Sequence, residues 1–527
     1  MTQGQGPGGG RPGGGGGGFA GRRGGPDLTV GPIGKTLITF ALPVLGSNIL
    51  QSLNGSANAF WVSRVLGEAG LTATNNSNQI FFMMLGAAFG VTMAANIMIG
   101  QAIGARDEAV ARKVVGTATT FFIAVSLAIG VAGGALTPHI LDAMRTPPDA
   151  RADAIAYLRV IFAAMPFMYF FNFMMMAQRG TGDSRTPFYF ALVQVGLDIV
   201  LNPLLIMGIG PFPKMGIAGS ATSTLIAQTF TLAVMLVHLY RQRSILVIRP
   251  SDWRLLIPDL KIIWTLVIKG TPMAFHMMVI SLAAVTMLSF VNRYGVHTSA
   301  AYGAASQLWT YVQMPAMALG AAVSSMAAQN VGAGRMDRVE RVAWIGASYA
   351  VLFTGVPIVI LQLVDPWVLQ AFLKAASASL PIAIHINRIV LWGFIPFGVA
   401  FIFSGIVRAT GAVWPPLFAM IISLWVIRVP LAIFLEPRLG ADAIWVSFPA
   451  GSATTLVLAG GYYFWNGWGS WRRARMLDMT PSADAPDTGL GQPMMDESEA
   501  ITDEEARELT RRSPSARSRP RSEAPAE

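Results

Sequence analysis

Twelve long apolar segments divide this chain of 527 residues and limit what it can fold into. About 20 apolar residues in α-helical conformation cross a lipid bilayer, and each segment reaches or exceeds that length. Backbone polar groups inside lipid must be paired within the segment, so such spans are helices. We therefore predict an all-α membrane protein with twelve transmembrane helices. The segments cover approximately residues 34–61, 72–101, 112–136, 154–178, 186–209, 216–240, 262–290, 298–329, 339–363, 381–407, 415–435 and 441–465.

The charge pattern supports a membrane protein and argues against other classes. Charged residues make up 13% of the chain, against about 25% in a typical soluble protein. The net charge of +10 could indicate nucleic-acid binding, but the basic residues lie in short loops and in the tails. Because Lys and Arg concentrate in cytoplasmic loops, we predict cytoplasmic N- and C-termini and no nucleic-acid partner. The chain has no cysteine, which excludes disulfides and thiolate metal sites.

An internal duplication is the strongest single pattern in the chain. The phrases QAIGARDEAVAR and RGTGDSRTP of the first half return as QNVGAGRMDRVER and RATGAVWPP in the second. Six spans in each half give both halves the same orientation, so a pseudo-twofold axis should run along the membrane normal. Secondary transporters with such repeats bind substrate at the repeat interface and expose it alternately to the two sides. The recurring residues include Pro43 and Pro272, Arg64 and Arg293, Gln101 and Gln329, and Arg179 and Arg408.

The repeat and the composition together give the domain boundaries. A Gly-rich tail at 1–30 is predicted to be disordered, because it has no apolar core. Its Gly run is not a phosphate-binding loop, since it lacks the GKS or GKT ending of that motif. The N-lobe covers 31–240, a cytoplasmic linker covers 241–261, and the C-lobe covers 262–468. Residues 469–527 are polar and rich in Pro and Ser, and they are also predicted to be disordered.

Asp198 is predicted to be the one acidic residue clearly inside an apolar span. A carboxylate at that depth costs roughly 2.5–3.5 kcal/mol, so it must face a cavity or a partner. Asn202 follows four residues later and lies on the same helix face. Asp198 is therefore interpreted as a proton-loading group, with a protonated structural Asp as the alternative.

Other polar residues inside the spans are candidates for a substrate cavity. The first span carries polar residues at helical spacing, which indicates a wet face; hydrogen bonding between helices is the alternative. The Met-rich fourth span could adapt to varied ligands, or it could pack in the core. The alternative for His276 is a structural histidine. The alternative for Arg428 is a charge that bridges the two lobes. The candidates are Gln51, Asn54, Gln79, Asn172, Met175, Gln194, His276 and Arg428.

The motifs resemble those of the multidrug and toxic compound extrusion (MATE) family over about residues 34–465. They are the phrases LPVLGSNILQSLNGSANAFWVSRVLG, GQAIGARD, RGTGDSRTP, LDIVLNPLLIMG and GIAGSATSTLIAQ, with AAQNVGAGR and RATG in the second half. Within the family, the motifs resemble the DinF-type branch more than the NorM-type branch. The resemblance implies two lobes around a central cavity and export of small organic, often cationic, molecules in exchange for protons or sodium ions. It also implies a bacterial cytoplasmic membrane.

Two departures from the family pattern bear on coupling. Relatives usually carry Asn and then Asp in the fifth span, whereas here Asp198 precedes Asn202. Many relatives have an acid near the end of the first span, where this chain has Asn58. Asn58 cannot hold a proton, but it can coordinate an ion or hydrogen-bond Asp198. We favour coupling to protons over sodium ions, with Asp198, Asn202 and Asn58 as the coupling residues. We also predict no other cofactor, no metal site and a monomeric protein.

Two other functions compete with the antiporter. A flippase for lipid-linked substrates belongs to the same superfamily, but such proteins often have fourteen spans. An integral membrane enzyme needs clustered His and carboxylate groups or a nucleophile, and the five histidines are scattered along the sequence. The chain is therefore predicted not to be an enzyme.

Overall fold

The computed structural model describes residues 25–144, 146–370, 373, 377–466 and 476. The described chain is helical and contains no β-strand. Of the tails predicted to be disordered, residues 1–24, 469–475 and 477–527 lie outside the described residues. Gly25–Val30, by contrast, belongs to the folded part, since Leu28 is fully buried.

The N-lobe consists of five helical elements that contain six spans. The first run, α1, holds two spans, Ile33–Leu66 and Met84–Gly104. Leu28, shortly before α1, and Gly104, at its end, both lie next to Gln329, so the chain reverses direction between these spans. The helices are α1 (Ile33–Gly104), α2 (Glu108–Ala143), α3 (Pro148–Gly180), α4 (Arg185–Met207) and α5 (Ile217–Arg241).

The C-lobe repeats this arrangement with more interruptions. A 3₁₀ turn, Leu391–Gly393, joins α9 to α10, and a π-helical turn, Ile422–Arg428, joins α11 to α12. Eleven segments of the described chain are long and apolar enough to cross a membrane, and α7 is the twelfth by its place in the repeat. The helices are α6 (Leu260–Asn292), α7 (Val296–Gly332), α8 (Met336–Leu369), α9 (Ser379–Val390), α10 (Phe394–Ala409), α11 (Trp414–Ile421), α12 (Val429–Leu439) and α13 (Asp442–Asn466).

Matching helix pairs pack in the two lobes. In the N-lobe α3 packs against α1 and α2, and in the C-lobe α10 packs against α7 and α8. Helices α4 and α5 pair in the first half as α12 and α13 do in the second. The lobes meet mainly where α1 contacts α6 and α7. Twelve spans in two equivalent lobes confirm the predicted fold class.

One end of the lobe interface is tightly closed; we call it the glutamine end and define it by Gln101 and Gln329. A Cβ added to Gly104 would lie 1.8 Å from the Gln329 carbonyl oxygen, and one added to Gly332 would lie 1.9 Å from that of Gln101. Only glycine allows the helices to approach so closely. This end carries the basic loops between α1 and α2 and between α7 and α8.

The segment between the lobes follows α5 and contains one short 3₁₀ turn, Pro250–Leu256. It docks on the start of α2 through ion pairs of Arg112 with Asp252 and of Lys113 with Asp259. The hydrogen bond from Arg112 holds the pKa of the Asp252 carboxyl below its usual value, and that from Lys113 does the same for Asp259.

Candidate functional site

The N-lobe contains a buried carboxylate surrounded by hydrogen-bond donors. Asp198 lies on α4 and is 1% exposed. Asn54 Nδ2 of α1 donates to Asp198 Oδ2 at 2.9 Å. From α5, Ser223 Oγ donates to Asp198 Oδ1 at 2.6 Å, and Thr224 Oγ1 lies 3.1 Å from Oδ2. Three helices therefore meet at one carboxyl group.

A second polar network lies one helical turn further along α4. Asn202 Nδ2 donates to Asn58 Oδ1 at 3.2 Å, and Ser220 Oγ donates to the same oxygen at 2.6 Å. Asn54 is therefore the first-span residue that bonds Asp198, whereas Asn58 bonds Asn202. The Asn202 Oδ1 atom is buried and has no hydrogen-bond partner within the described chain.

The remaining N-lobe candidates lie apart from this network or outside the described side chains. Gln51 Nε2 donates to Gln194 Oε1 at 3.2 Å, one turn before the Asn54–Asp198 pair. Asn172 Nδ2 donates to the Met168 carbonyl of its own helix, and Met175 is buried in the apolar core. The Gln79 side chain lies outside the described residues.

A cavity of about 460 Å³ lies in the C-lobe, between α6, α7, α10 and α13. Its volume falls in the range of small-molecule sites. Two predicted site residues, His276 and Arg428, line it, and Phe89 and Met93 of the N-lobe complete the wall. The wall is aromatic and apolar, and includes Met273, Tyr302, Trp309, Phe394, Phe397 and Phe448.

Among the described residues that line this cavity, the charged side chains are two arginines, Arg408 and Arg428. The Arg428 guanidinium lies 3.3 Å from the ring centroid of Phe448, and that of Arg408 lies 5.3 Å from the ring centroid of Phe401. Arg408 is 4% exposed. Arg408 belongs to the repeated RATG phrase, and the structure shows that it lines the cavity.

The π-helical turn Ile422–Arg428 places Arg428 at the cavity. A π-turn accommodates one extra residue in a helix and often marks a functional site. The Ser423 hydroxyl donates to the Gly451 carbonyl, and Thr455 Oγ1 donates to Ser423 Oγ at 2.7 Å. These bonds fasten the turn to α13. Gly451 also leaves room for the aliphatic part of the Arg428 side chain, because a Cβ added at Gly451 would lie 3.3 Å from the Arg428 Cβ atom.

A second buried acid, which the sequence analysis did not single out, lies near the end of α8. Asp365 lies in α8 and is 1% exposed. Asn387 Nδ2 donates to Asp365 Oδ1 at 2.7 Å, and Trp309 Nε1 donates to Asn387 Oδ1 at 2.9 Å. The sequence analysis ended this span at residue 363, whereas α8 continues to Leu369, so its last turns contain the acid.

The α5 partners of Asp198 and of Asn58 were also missed. Ser220, Ser223 and Thr224 recur at intervals of three and four in the phrase GIAGSATSTLIAQ. This spacing places small hydroxyls on one helix face and was the available signal.

Within the described residues no group of three or more His, Asp or Glu side chains could hold a metal ion.

Comparison with known proteins identifies the family. The MatE family matches residues 43–204 and 272–434, and the second match is one residue longer. Both matches begin at the repeated proline. YoeA of Bacillus subtilis (strain 168), named a probable multidrug resistance protein, is 36% identical over 82% of this chain and 93% of its own. YpnP of the same organism, also named a probable multidrug resistance protein, is 30% identical over 84% and 97%.

A solved structure shows the same fold. It is described as the outward-facing conformation of a multidrug resistance MATE family transporter of the MOP superfamily. It superposes with a TM-score of 0.75 at 21% identity, over 83% of this chain and 96% of that one. The two lobes, the duplicated family match and these relatives place this chain in the MATE family of multidrug efflux transporters.

Proposed function

We propose that this protein is a proton-coupled antiporter that exports small organic molecules across a bacterial cytoplasmic membrane. The observation that carries the proposal is Asp198, which is buried, accepts hydrogen bonds from three side chains and has no basic side chain within 4.0 Å in the described chain. An ionised carboxylate without a counter-ion is costly in a low-dielectric environment. Binding of a proton neutralises it, and release to the other side completes a coupling step.

The groups around Asp198 favour a proton over sodium. Asn54 turns its amide nitrogen toward the carboxylate, so its oxygen does not complete an ion site there. The Asn58 oxygen already accepts from Asn202 and Ser220. A hard cation needs several converging oxygen ligands, whereas Asn54 presents a nitrogen to Asp198 and the Asn58 oxygen is already engaged by two donors.

Alternating access requires the glutamine end to open. Arg106 and Arg335 lie in its loops and Arg338 lies in the first turn of α8, and the charge pattern predicts that these residues face the cytoplasm. In this orientation the described conformation is closed toward the cytoplasm. Cargo loading from inside would break the contacts of Gln101 and Gln329, and rocking of the lobes would then close them again.

The cargo is proposed to be a small organic molecule, because two relatives are named probable multidrug resistance proteins. The family resemblance predicts a cationic cargo, and the carboxylate of Asp198 in the N-lobe suits that charge. The two arginines that line the C-lobe cavity favour the opposite charge. Assignment to the DinF-type branch and a monomeric state stay predictions.

One observation favours the flippase as a second candidate. A cavity lined by Arg408 and Arg428 suits the phosphate of a lipid-linked substrate, which arginine binds well. The twelve-span fold argues against it, because such flippases often have fourteen spans.

The test is transport in proteoliposomes under an imposed pH gradient, with and without a sodium gradient. We expect the pH gradient to drive uptake of a fluorescent organic cargo, and Asp198→Asn to abolish it. The matched control is Asp142→Asn, because Asp142 is an exposed carboxylate paired with Arg151 at 2.6 Å. Transport that depends on sodium and not on pH would reject proton coupling. Normal pH-driven transport by Asp198→Asn would give Asp198 a structural role.

A further inference from the structure

The C-lobe cavity has an unbalanced charge. Its described lining contains Arg408 and Arg428 and no Asp, Glu or Lys. The ion pairs among the described residues all involve other side chains, so neither arginine has a carboxylate within 4.0 Å there. A charge withdrawn from water without a partner is unfavourable. The cavity is therefore electrostatically prepared for an anion.

The arginine side chains are held by packing and leave polar atoms unpaired. Each guanidinium lies by an aromatic ring, Arg428 by Phe448 and Arg408 by Phe401. Their Nε atoms are buried and lack hydrogen-bond partners in the part of the chain that the structure describes. Contact with a ring face orients a guanidinium but does not satisfy its N–H groups.

His276 adds a third unpaired polar group. It lines the same cavity and is 8% exposed. Its Nε2 atom has no hydrogen-bond partner among the described residues. Buried polar atoms are nearly always paired, so three of them at one cavity indicate that a ligand supplies the missing partners.

The equivalent places in the two lobes carry opposite charges. Arg428 stands within one position of the repeat equivalent of Asp198, and the family match in the second half is longer by that one residue. Asp198 is enclosed by donors from its own lobe, whereas Arg428 opens onto a cavity. The duplicated scaffold thus holds an acid in one lobe and a base in the other.

We propose that the C-lobe cavity is a binding site for amphipathic aromatic anions. The acidic group, a carboxylate, sulfonate or phosphate, accepts hydrogen bonds from Arg428 or Arg408, whose planar fork matches such groups. The apolar body packs between Trp309, Phe394 and Phe397. This inference deepens the proposed function by naming a cargo class, and it concerns binding, which is measurable without transport.

Calorimetric titration of the full chain in zwitterionic lipid nanodiscs tests the site. The probes are naphthalene-2-sulfonate, the neutral naphthalene-2-sulfonamide and the cation 2-naphthylmethylammonium. Because hydrogen bonds to charged groups are strong, we expect the sulfonate to bind at least about tenfold more tightly than either analogue. Equal binding of the three probes, or tighter binding of the cation, would overturn the proposal.

Variants assign the binding to the arginines. Arg428→Gln and Arg408→Gln should each weaken sulfonate binding about tenfold. Arg293→Gln should not, since Arg293 also contacts a phenyl ring, at 4.9 Å, but lies outside the cavity. If an arginine variant fails to fold, Ser452→Glu keeps both arginines and places a carboxylate in the cavity wall, which should also exclude the sulfonate. Unchanged binding in all of these variants would reject the site.

Two further arms separate this inference from the coupling proposal. Addition of phosphatidylglycerol should compete with the sulfonate if lipid headgroups share the site, and it should have no effect if only soluble anions enter. Asp198→Asn should bind the sulfonate normally while losing pH-driven transport. Sulfonate binding that requires Asp198 and not the arginines would place the anion elsewhere and contradict the proposal.

Discussion

Gln101 and Gln329 occupy equivalent positions in the two halves and make equivalent hydrogen bonds across the lobe interface. Gln101 Nε2 donates to the Ala409 carbonyl at 2.7 Å, and Gln329 Nε2 donates to the Gly180 carbonyl at 2.9 Å. Their Oε1 atoms accept from the backbone N–H of Met476 at 2.9 Å and of Leu28 at 3.1 Å. The chain segments flanking the two lobes thus complete the closure.

Removal of both glutamine side chains should open this end. Each buried bond contributes about 0.5–1.5 kcal/mol, so Gln101→Ala with Gln329→Ala should shift the open population by at least about fivefold. The natural chain has no cysteine, so spin labels at Arg106→Cys and Asp337→Cys can report the distance by electron paramagnetic resonance. Gln242→Ala, which changes a glutamine bonded within its own helix region, is the control. An unchanged distance distribution would show that the glutamines do not hold the closure.

The glycine crossing should be as important as the hydrogen bonds. Gly104→Ala forces a methyl group against the Gln329 carbonyl, so the closed conformation should be disfavoured by about 1–3 kcal/mol or more. The same substitution at Gly303, in α7, meets no atom within 4 Å and serves as the control. Thermal unfolding in detergent and the spin-label distance are the measurements. Equal behaviour of the two variants would contradict this packing argument.

The Asn58 side-chain oxygen should stabilise the N-lobe because it accepts hydrogen bonds from Asn202 and Ser220. Asn58→Leu leaves Asn202 and Ser220 without their acceptor, so we expect a loss of about 1–3 kcal/mol in the free energy of unfolding. Asn58→Asp keeps an acceptor oxygen and should retain most of the stability. Chemical unfolding of the three proteins tests this order. Equal losses for Leu and Asp would mean that the amide N–H groups matter instead.

The contribution of the linker should be independent of pH in the physiological range. The pKa values of Asp252 and Asp259 are lowered by their bonds to Arg112 and Lys113. A lowered folded-state pKa gives stability that is present above the ordinary value of about 3.9 and is lost as pH falls through the lowered pKa. The melting-temperature loss in Asp259→Asn should therefore be the same at about pH 7 and about pH 5.5.

The control for the linker is Asp337→Asn, because Asp337 is exposed and lies 3.9 Å from Arg341. It should change the melting temperature little at either pH. A loss in Asp259→Asn that disappears already near pH 5.5 would mean that the pKa of Asp259 is raised above its ordinary value, which contradicts the lowering by Lys113.

The sequence predicted the path of the backbone better than it predicted the contacts of the side chains. The twelve spans and the repeat followed from hydropathy and register, because lipid forces each apolar run to pair its own backbone groups. Span ends were less certain, since α8 extends past the apolar run and contains Asp365. Asp198 was found from its cost in lipid, but its partner Asn54 was not distinguished from Asn58, which is only one turn away.

The sequence alone determined the class of this protein: a duplicated, twelve-span membrane transporter with an acid inside the N-lobe. These features are local, because chain length, hydropathy and phrase repetition need no knowledge of distant contacts. Only the tertiary structure decided which side chains meet: the donors of α5 around Asp198, the unpaired arginines in the aromatic cavity, and the reciprocal bonds of Gln101 and Gln329. Such contacts join residues far apart in the chain, and helix packing alone sets their distances.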